Sequence, residues 1–366
     1  MMKKVVYVDN NATTMVAPEV FEAMKPYLTD EYGNPSSMYT FGGKIYNEIE
    51  KARESITDLL GANDLSEIIF TSCGTESDNT AIIGTLRSYP EKRHIITTKV
   101  EHPAVLNLCQ YLEAAGYRIT YLGVDNEGML DLNELKASID NDTAIISIMY
   151  ANNETGAIFP VEEIAEIARI RNVVFHTDAV QAVGKIPFKM TKLPVDLLAL
   201  SGHKLHAPKG VGALYVRKGT KLTPFLIGGH QEHGRRGGTE NVASIVGLGV
   251  ACQLAKKAIK EERTRIKALR DKLENAILKE IPNSRLNGHK KNRLPNTTNI
   301  GFEFIEGESI LLMLDEKNIA ASSGSACTSG SLTPSHVLRA MGIPFTFVQG
   351  SIRFSLSRCN TEKDID

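Results

Sequence analysis

Long apolar runs and long basic runs are both lacking in this sequence. No uncharged stretch is long enough to cross a bilayer, and the apolar run after the N-terminus is too short for a signal peptide. The net charge is -1 and the sequence has no cluster of Lys or Arg that would attract nucleic acid or an anionic membrane. We therefore expect a cytoplasmic protein that acts on small molecules or proteins, with no nucleic-acid or membrane binding of its own.

Paired cysteines are lacking as well. The chain has five cysteines, an odd number, and none of them forms a Cys-x-x-Cys pair. This pattern argues against a disulfide framework and against a zinc site, and no other metal-ligand set is evident. One of the five thiols is therefore a candidate for reactivity. The cysteines are Cys73, Cys109, Cys252, Cys327 and Cys359.

The length and the order of the predicted elements indicate the fold class. A chain of 366 residues exceeds the size at which a single core usually stops growing, so we expect one large and one smaller domain. Between residues 67 and 176, strand-like and helix-like segments alternate, with the first of these helices beginning at about Thr80. Such alternation predicts an α/β fold with a mostly parallel sheet. Residues 210–216 follow the preceding strand after a short turn, which predicts an antiparallel neighbour.

We expect the large domain to comprise residues 15–257. Residues 1–14 and 258–366 then form a smaller α+β domain that includes a Ser/Gly-rich loop at 322–331. Thr361 resembles the N-cap of a helix that the sequence does not go on to supply. The natural chain is therefore expected to continue past Asp366.

Two charged residues follow predicted strands. Lys204 ends a polar turn after the apolar residues 197–200, and Asp178 closes the strand segment before it. Desolvation at a strand end favours a neutral amine, which can form a Schiff base with an aldehyde. A buried carboxylate can keep a pyridine nitrogen protonated. The same patterns also fit a solvated surface lysine and a helix-capping aspartate.

Two further turns resemble binding elements. Residues 72–77 link a strand to a helix, and small residues before a helix N-terminus allow an anion to approach the backbone N–H groups. An ordinary βα turn with a Ser or Thr cap fits equally well. His102 precedes another helix, where an imidazole can stack on a planar ring, cap the helix or belong to the core.

Cys327 and Arg353 lie in the predicted small domain. Cys327 lies among Ser and Gly residues, which do not make a core, and an accessible thiol on a loop suits a nucleophile that reaches into a site and out again. Arg353 lies on the apolar strand that includes Ile352 and Phe354, and a buried guanidinium needs an anion. A substrate carboxylate held by two hydrogen bonds would supply one.

Several of these runs, in this order, resemble the pyridoxal-phosphate-dependent cysteine desulfurases of the nitrogen-fixation and iron–sulfur-cluster type. The resemblance covers nearly the whole chain. It implies the fold of the type I pyridoxal-phosphate enzymes, a homodimer, L-cysteine as the substrate and a sulfur-acceptor protein, such as a cluster scaffold, as a partner. The matching runs are residues 7–14, 70–79, 100–102, 152–156, 178–181, 201–204 and 322–327.

The resemblance also implies a role for each site residue. Lys204 would hold pyridoxal 5'-phosphate as a Schiff base, Asp178 would bind its ring nitrogen, and Cys327 would take the sulfur as a persulfide while alanine is released. His102 would stack on the ring and Gln181 would contact its phenolic oxygen. The phosphate ligands would be Thr75, Ser201, His203 and, from the other subunit, Thr239. The substrate carboxylate would be held by Asn153 and Arg353.

Other readings remain open at this point. A selenocysteine lyase or an aminotransferase of the same fold would share Lys204 and Asp178, but a transaminase has no use for Cys327. A catalytically silent scaffold for cluster-assembly proteins is the alternative of another class. The sequence also departs from the family's commonest residues at Cys73, Tyr39 and positions 205–207, none of which has a proposed catalytic role.

Overall fold

The computed structural model describes residues 5–323 and 334–366. The strands are β1 (Val6–Tyr7), β2 (Ile68–Thr71), β3 (His94–Thr98), β4 (Arg118–Leu122), β5 (Thr143–Ser147), β6 (Val174–Asp178), β7 (Leu197–Ser201), β8 (Gly212–Val216), β9 (Ser284–Leu286), β10 (Thr297–Phe302), β11 (Ile319–Ala320), β12 (Ser322–Ser323) and β13 (Ser351–Ser355). The α-helices are α1 (Pro18–Met24), α2 (Pro26–Thr29), α3 (Thr40–Leu60), α4 (Gly74–Ser88), α5 (Pro103–Ala114), α6 (Leu132–Ser138), α7 (Val161–Ile170), α8 (Val242–Glu261), α9 (Lys267–Glu280), α10 (Gly307–Glu316), α11 (His336–Ala340), α12 (Phe345–Val348) and α13 (Glu362–Ile365).

A seven-stranded sheet forms the centre of the molecule, in the order β2-β8-β7-β6-β5-β3-β4. The neighbours from β7 to β4 are parallel, and β8 is antiparallel to both β2 and β7. Most of these strands are buried along their whole length, as expected of a sheet covered by helices on both faces. The predicted α/β class, the mostly parallel sheet and the antiparallel neighbour after Lys204 are confirmed.

A long helical segment follows β8, the last strand of this sheet in the chain. α8 continues through a π-helical turn (Glu262–Ile266) into α9, so residues 242–280 form one helix. Its most apolar stretch is long enough to cross a membrane, but more than half of that stretch is buried inside the fold. α8 packs closely on α3, where a Cβ added to Gly249 would lie 2.7 Å from Ala52 Cα. The apolar residues of α8 thus have a partner in the core, as in soluble proteins.

A second, four-stranded sheet has the order β12-β13-β10-β9 and is antiparallel. β1 pairs in parallel with β11, so the N-terminal strand joins this part of the chain. Val8, Ile266 and Ile352 belong to one apolar cluster there. The described parts of residues 1–14 and 258–366 therefore pack together. The division at 257 and 258 remains our proposal.

Two element boundaries differ from the sequence prediction. α4 begins at Gly74 and not near Thr80, because its polar first turn is helix and not loop. Thr361 does cap a helix, the short α13, in which its side chain accepts a hydrogen bond from the Asp364 N–H (3.3 Å). The prediction that no helix follows Thr361 was therefore wrong.

Candidate active site

A cavity of about 210 Å³ lies at the carboxyl ends of the parallel strands, where open α/β sheets bind their ligands. Apart from Thr239, every predicted site residue that the structure describes lines this cavity. The lining residues include Thr75, His102, Asn153, Asp178, Gln181, Ser201, His203, Lys204 and Arg353. Cys327 lies outside the described residues.

Lys204 lies in a 3₁₀ turn directly after β7 and is partly buried. Its Nζ donates hydrogen bonds to the backbone oxygens of Asn11 (2.5 Å) and Ala12 (2.6 Å). The amine is thus held at the wall of the cavity by the segment between β1 and α1. The alternative of a fully solvated lysine does not fit this environment.

Asp178 is the last residue of β6 and is buried. Its Oδ1 accepts a hydrogen bond from the Val180 N–H (2.9 Å). Burial raises the pKa of this carboxyl, while His102, the Val180 hydrogen bond and Lys204 lower it. A cation placed in the cavity beside Asp178 would therefore stabilise its charged form.

His102 caps α5 and also lines the cavity. Its Nδ1 accepts a hydrogen bond from the Ala104 N–H (3.1 Å), so in the neutral ring the proton is on Nε2. Burial lowers the pKa of His102, which favours this neutral form. The capping bond sets the position of the imidazole at the cavity wall.

The N-terminus of α4 forms another part of the wall. Gly74 begins the helix, and a Cβ added there would lie 2.8 Å from Val180 Cγ2. Thr75, Ser201 and His203 lie around the same cavity. The positive end of a 15-residue helix, approached through glycine, is suited to an anion such as a phosphate.

Arg353 has an anionic partner that the sequence reasoning missed. Its Nη2 donates to Asp9 Oδ1 (2.8 Å) and its Nη1 donates to the Asn153 backbone oxygen (3.0 Å). Arg353 Nε is buried and its N–H donates to no partner among the described residues. The guanidinium is therefore oriented by protein contacts before any carboxylate enters the cavity.

Asn11 was quoted as part of a run, but no role was predicted for it. This residue is 1% exposed and connects several cavity residues. Its backbone oxygen accepts from both Lys204 Nζ and Gln181 Nε2 (3.0 Å), and its Nδ2 donates to the Asn153 oxygen (3.2 Å). A polar residue after a short apolar strand is the only sequence signal for such a residue, and it is a weak one.

Both described ends of the segment that contains Cys327 lie beside the cavity. Ser322 pairs with Arg353 across β12 and β13.

After the segment, Ser335 Oγ donates to Glu154 Oε2 (2.6 Å), and His336 Nε2 lies 2.9 Å from the Glu101 backbone oxygen. Glu154 follows Asn153 and Glu101 precedes His102, so the chain leaves and returns next to cavity residues.

Thr239 and Cys73 differ from the other residues discussed in the sequence analysis. Thr239 is exposed and does not line this cavity, so its contact with a second subunit stays a prediction. Cys73 lines the cavity beside Gly74. Within residues 5–323 and 334–366, no cluster of three or more His, Cys, Asp or Glu residues is arranged to hold a metal ion.

Comparison with known proteins identifies the family. The family model described as aminotransferase class-V matches residues 6–366. The chain belongs to the class-V aminotransferase family. It is 62% identical to a cysteine desulfurase of Trichormus azollae and 57% identical to the cysteine desulfurase NifS of Azotobacter vinelandii, covering 99% of this chain and 90% of each relative. A solved NifS-like protein is 40% identical, with a TM-score of 0.93 over 99% of this chain and 96% of its own.

Pyridoxal phosphate is the cofactor of this family and of this chain. The residues of the cavity fit it. Lys204 supplies an amine for the aldehyde, and the buried Asp178 suits a pyridinium nitrogen. The N-terminus of α4 suits the phosphate, and Gly74 lets this helix end lie closer to Val180 than a residue with a Cβ would allow. The predicted type I fold and family are thereby confirmed.

Gly74→Ala is expected to weaken pyridoxal-phosphate binding about tenfold, because its Cβ would push Val180 or the helix N-terminus away from the phosphate. Titration of the cofactor-free protein with pyridoxal phosphate would measure the dissociation constant. Gly43→Ala is the matched control, since an added Cβ there meets nothing within 4 Å. Equal affinity in the two variants would contradict the proposed role of Gly74.

Proposed function

We propose that this chain removes sulfur from L-cysteine, releases L-alanine and passes the sulfur through Cys327 to an acceptor protein. Cysteine desulfurase is its function, given identities of 62% and 57% to proteins of that name over nearly the full chain. One observation supports the roles given to these residues. Lys204, Asp178 and Arg353 come from three separate strands or turns and line the same cavity.

The cofactor, when bound, supplies an electron sink that takes up the charge left on the substrate's Cα when its proton is removed. Lys204 would hold the cofactor through its amine, and its free amine would be the general base for that proton. Asp178 would hold the proton on the ring nitrogen. His102, positioned by its bond to the Ala104 N–H, would stack on the ring.

The remaining contacts orient the cofactor and the substrate. Gln181 would donate to the ring oxygen of the cofactor. Asn153 and Arg353 bind the substrate carboxylate, and the orientation of Arg353 by Asp9 and by the Asn153 oxygen prepares it for this contact. The phosphate would be held by Thr75, Ser201 and His203, joined by Thr239 of a second subunit.

Cys327 acts on the sulfur of the substrate. Its thiolate attacks that sulfur, the carbon–sulfur bond breaks, and a sulfur–sulfur bond to Cys327 forms. The carbon fragment takes up protons and leaves as alanine. Support for this placement comes from the two ends of its segment, at Ser322 opposite Arg353 and at Ser335 bonded to Glu154.

We further propose that the protein is a cytoplasmic homodimer and that the persulfide of Cys327 is used for iron–sulfur-cluster assembly or other sulfur transfer. The exposed position of Thr239, outside its own subunit's cavity, favours a dimer in which that residue completes the partner's phosphate site. A cluster scaffold is one suitable acceptor, because it needs sulfur delivered on a protein.

The product ratio tests the proposed function. We expect the native protein, given L-cysteine and a thiol reductant, to release alanine and sulfide in equal amounts. Alanine is measured by chromatography and sulfide by a colorimetric assay. An aminotransferase would consume a keto acid and release no sulfide, and a selenocysteine lyase would act on selenocysteine and leave L-cysteine intact. Either of those results would overturn the proposal.

A further inference from the structure

One buried amine beside the cavity has no role in the mechanism above. Lys185 lies in the turn after β6 and is 7% exposed. Its Nζ donates to Gln181 Oε1 (3.0 Å) and to Asn11 Oδ1 (3.2 Å). The pKa of Lys185 is lowered to about 7, because the effect of burial outweighs the opposing effect of its carboxylate neighbour Glu262. Burying a lysine amine is energetically unfavourable, so its two bonds to residues of the cavity wall suggest a function for Lys185.

These contacts determine which end of the Gln181 amide faces which neighbour. In its charged form the amine of Lys185 can only donate, so the atom of Gln181 that faces it is Oε1. The other end, Nε2, donates one of its two hydrogens to the Asn11 backbone oxygen (3.0 Å). Its second hydrogen remains for a group in the cavity that Gln181 lines. Turning the amide over would place its Oε1 against the Asn11 backbone oxygen and its Nε2 against the ammonium of Lys185, so both contacts favour the same orientation.

We propose that Lys185 is a positioning residue that orients the Gln181 amide, so that an N–H and not an oxygen meets the ring oxygen of bound pyridoxal phosphate. This inference rests on the proposed contact between Gln181 and the cofactor. The ring oxygen carries negative charge, and an amide oxygen would repel it. Lys185 thus acts through Gln181 and does not itself touch the cofactor.

A direct effect of charge is the competing explanation. The electrostatic neighbours of Lys185 are Glu262, Lys204 and Arg353, and the small cavity beside it is also lined by His206 and Arg358. The positive charge of Lys185 could therefore act on Lys204 without the amide. Both explanations expect loss of Lys185 to favour protonation near the cofactor, so a single variant cannot separate them.

A double-mutant cycle on the holoenzyme separates them. The readout is the pH midpoint of the visible absorption band of bound pyridoxal phosphate, measured without substrate for Lys185→Met, Gln181→Leu and the double variant. We expect each single variant to raise the midpoint by about one unit, since losing a hydrogen bond to a charged oxygen changes an equilibrium about tenfold. The double variant should show no further rise.

Additional variants keep the test informative. Lys189→Met removes an exposed lysine four residues away and should leave the midpoint unchanged. Lys185→Gln removes the charge but keeps an N–H donor, so its midpoint should stay close to the native one. This variant also provides a test if Lys185→Met does not fold. Thermal unfolding of each variant reports whether it is folded.

The inference would be overturned by shifts that add in the double variant, or by a shift in Lys185→Gln as large as that in Lys185→Met. Both would mean that the charge acts directly. A native midpoint in Lys185→Met would overturn it as well. If Gln181→Leu leaves the midpoint unchanged, the proposed contact of Gln181 with the cofactor is wrong, and the failure belongs to the proposed function.

Discussion

Lys204→Ala is expected to lower the rate of alanine formation from L-cysteine about a thousandfold or more. The variant loses the amine that holds the cofactor and the base that takes the Cα proton, and loss of a general base alone costs about 10²–10⁴ in rate. Coupled detection of alanine measures the rate. A second readout follows the covalent link: native protein should retain cofactor through denaturation after borohydride reduction, whereas Lys204→Ala should lose it.

Lys209→Ala is the matched control for this prediction. Lys209 is exposed and five residues farther along the chain, so its loss should leave both the rate and the covalent link near native values. The structure supports the contrast, because Lys204 is held at the cavity wall by the oxygens of Asn11 and Ala12. A Lys204→Ala variant within tenfold of the native rate would show that another residue removes the proton.

Cys327→Ala is expected to reduce alanine and sulfide release by about a thousandfold or more, as the loss of a nucleophile commonly does. Without the Cys327 thiolate, no protein nucleophile accepts the sulfur of the substrate. Cofactor binding should not change, because the proposed cofactor ligands are on other segments. The measurement compares both products, with a thiol reductant present, and the visible absorption of the bound cofactor.

Cys359→Ala is the control for nonspecific thiol effects, since Cys359 is exposed and does not line the cavity. Cys73 is less suitable for that purpose, because it lies in the cavity wall. Should Cys327→Ala keep the native rate of sulfide release with its cofactor bound, a lyase that needs no protein thiol would be the better account.

The sequence predicted the elements that depend on local pattern. Alternating apolar strands and helices predicted the parallel sheet, and a short turn after Lys204 predicted the antiparallel β8. Lys204 and Asp178 were recognised because polar residues directly after buried strands meet at one edge of such a sheet. The start of α4 was misplaced because Ser, Thr and Glu in a first helical turn have the same composition as a loop.

The network around Asn11 could not be predicted in the same way. Its partners Lys185 and Asn296 lie 174 and 285 residues away in the chain, and the ion pair of Asp9 with Arg353 joins residues 344 apart. No local periodicity encodes such a pair, since each partner has several possible neighbours until the two sheets have packed. A buried arginine predicted only that some anion was needed.

The sequence alone therefore determined the class of fold, the position of the reactive groups at the ends of strands and, through its resemblance to a known family, the cofactor and the reaction. Only the tertiary structure decided how those groups are oriented: which oxygens hold Lys204, which carboxylate turns Arg353, and which lysine faces the Gln181 amide. The physical reason is that strand and helix patterns follow from neighbouring residues, whereas buried polar groups must find their partners wherever the folded chain places them.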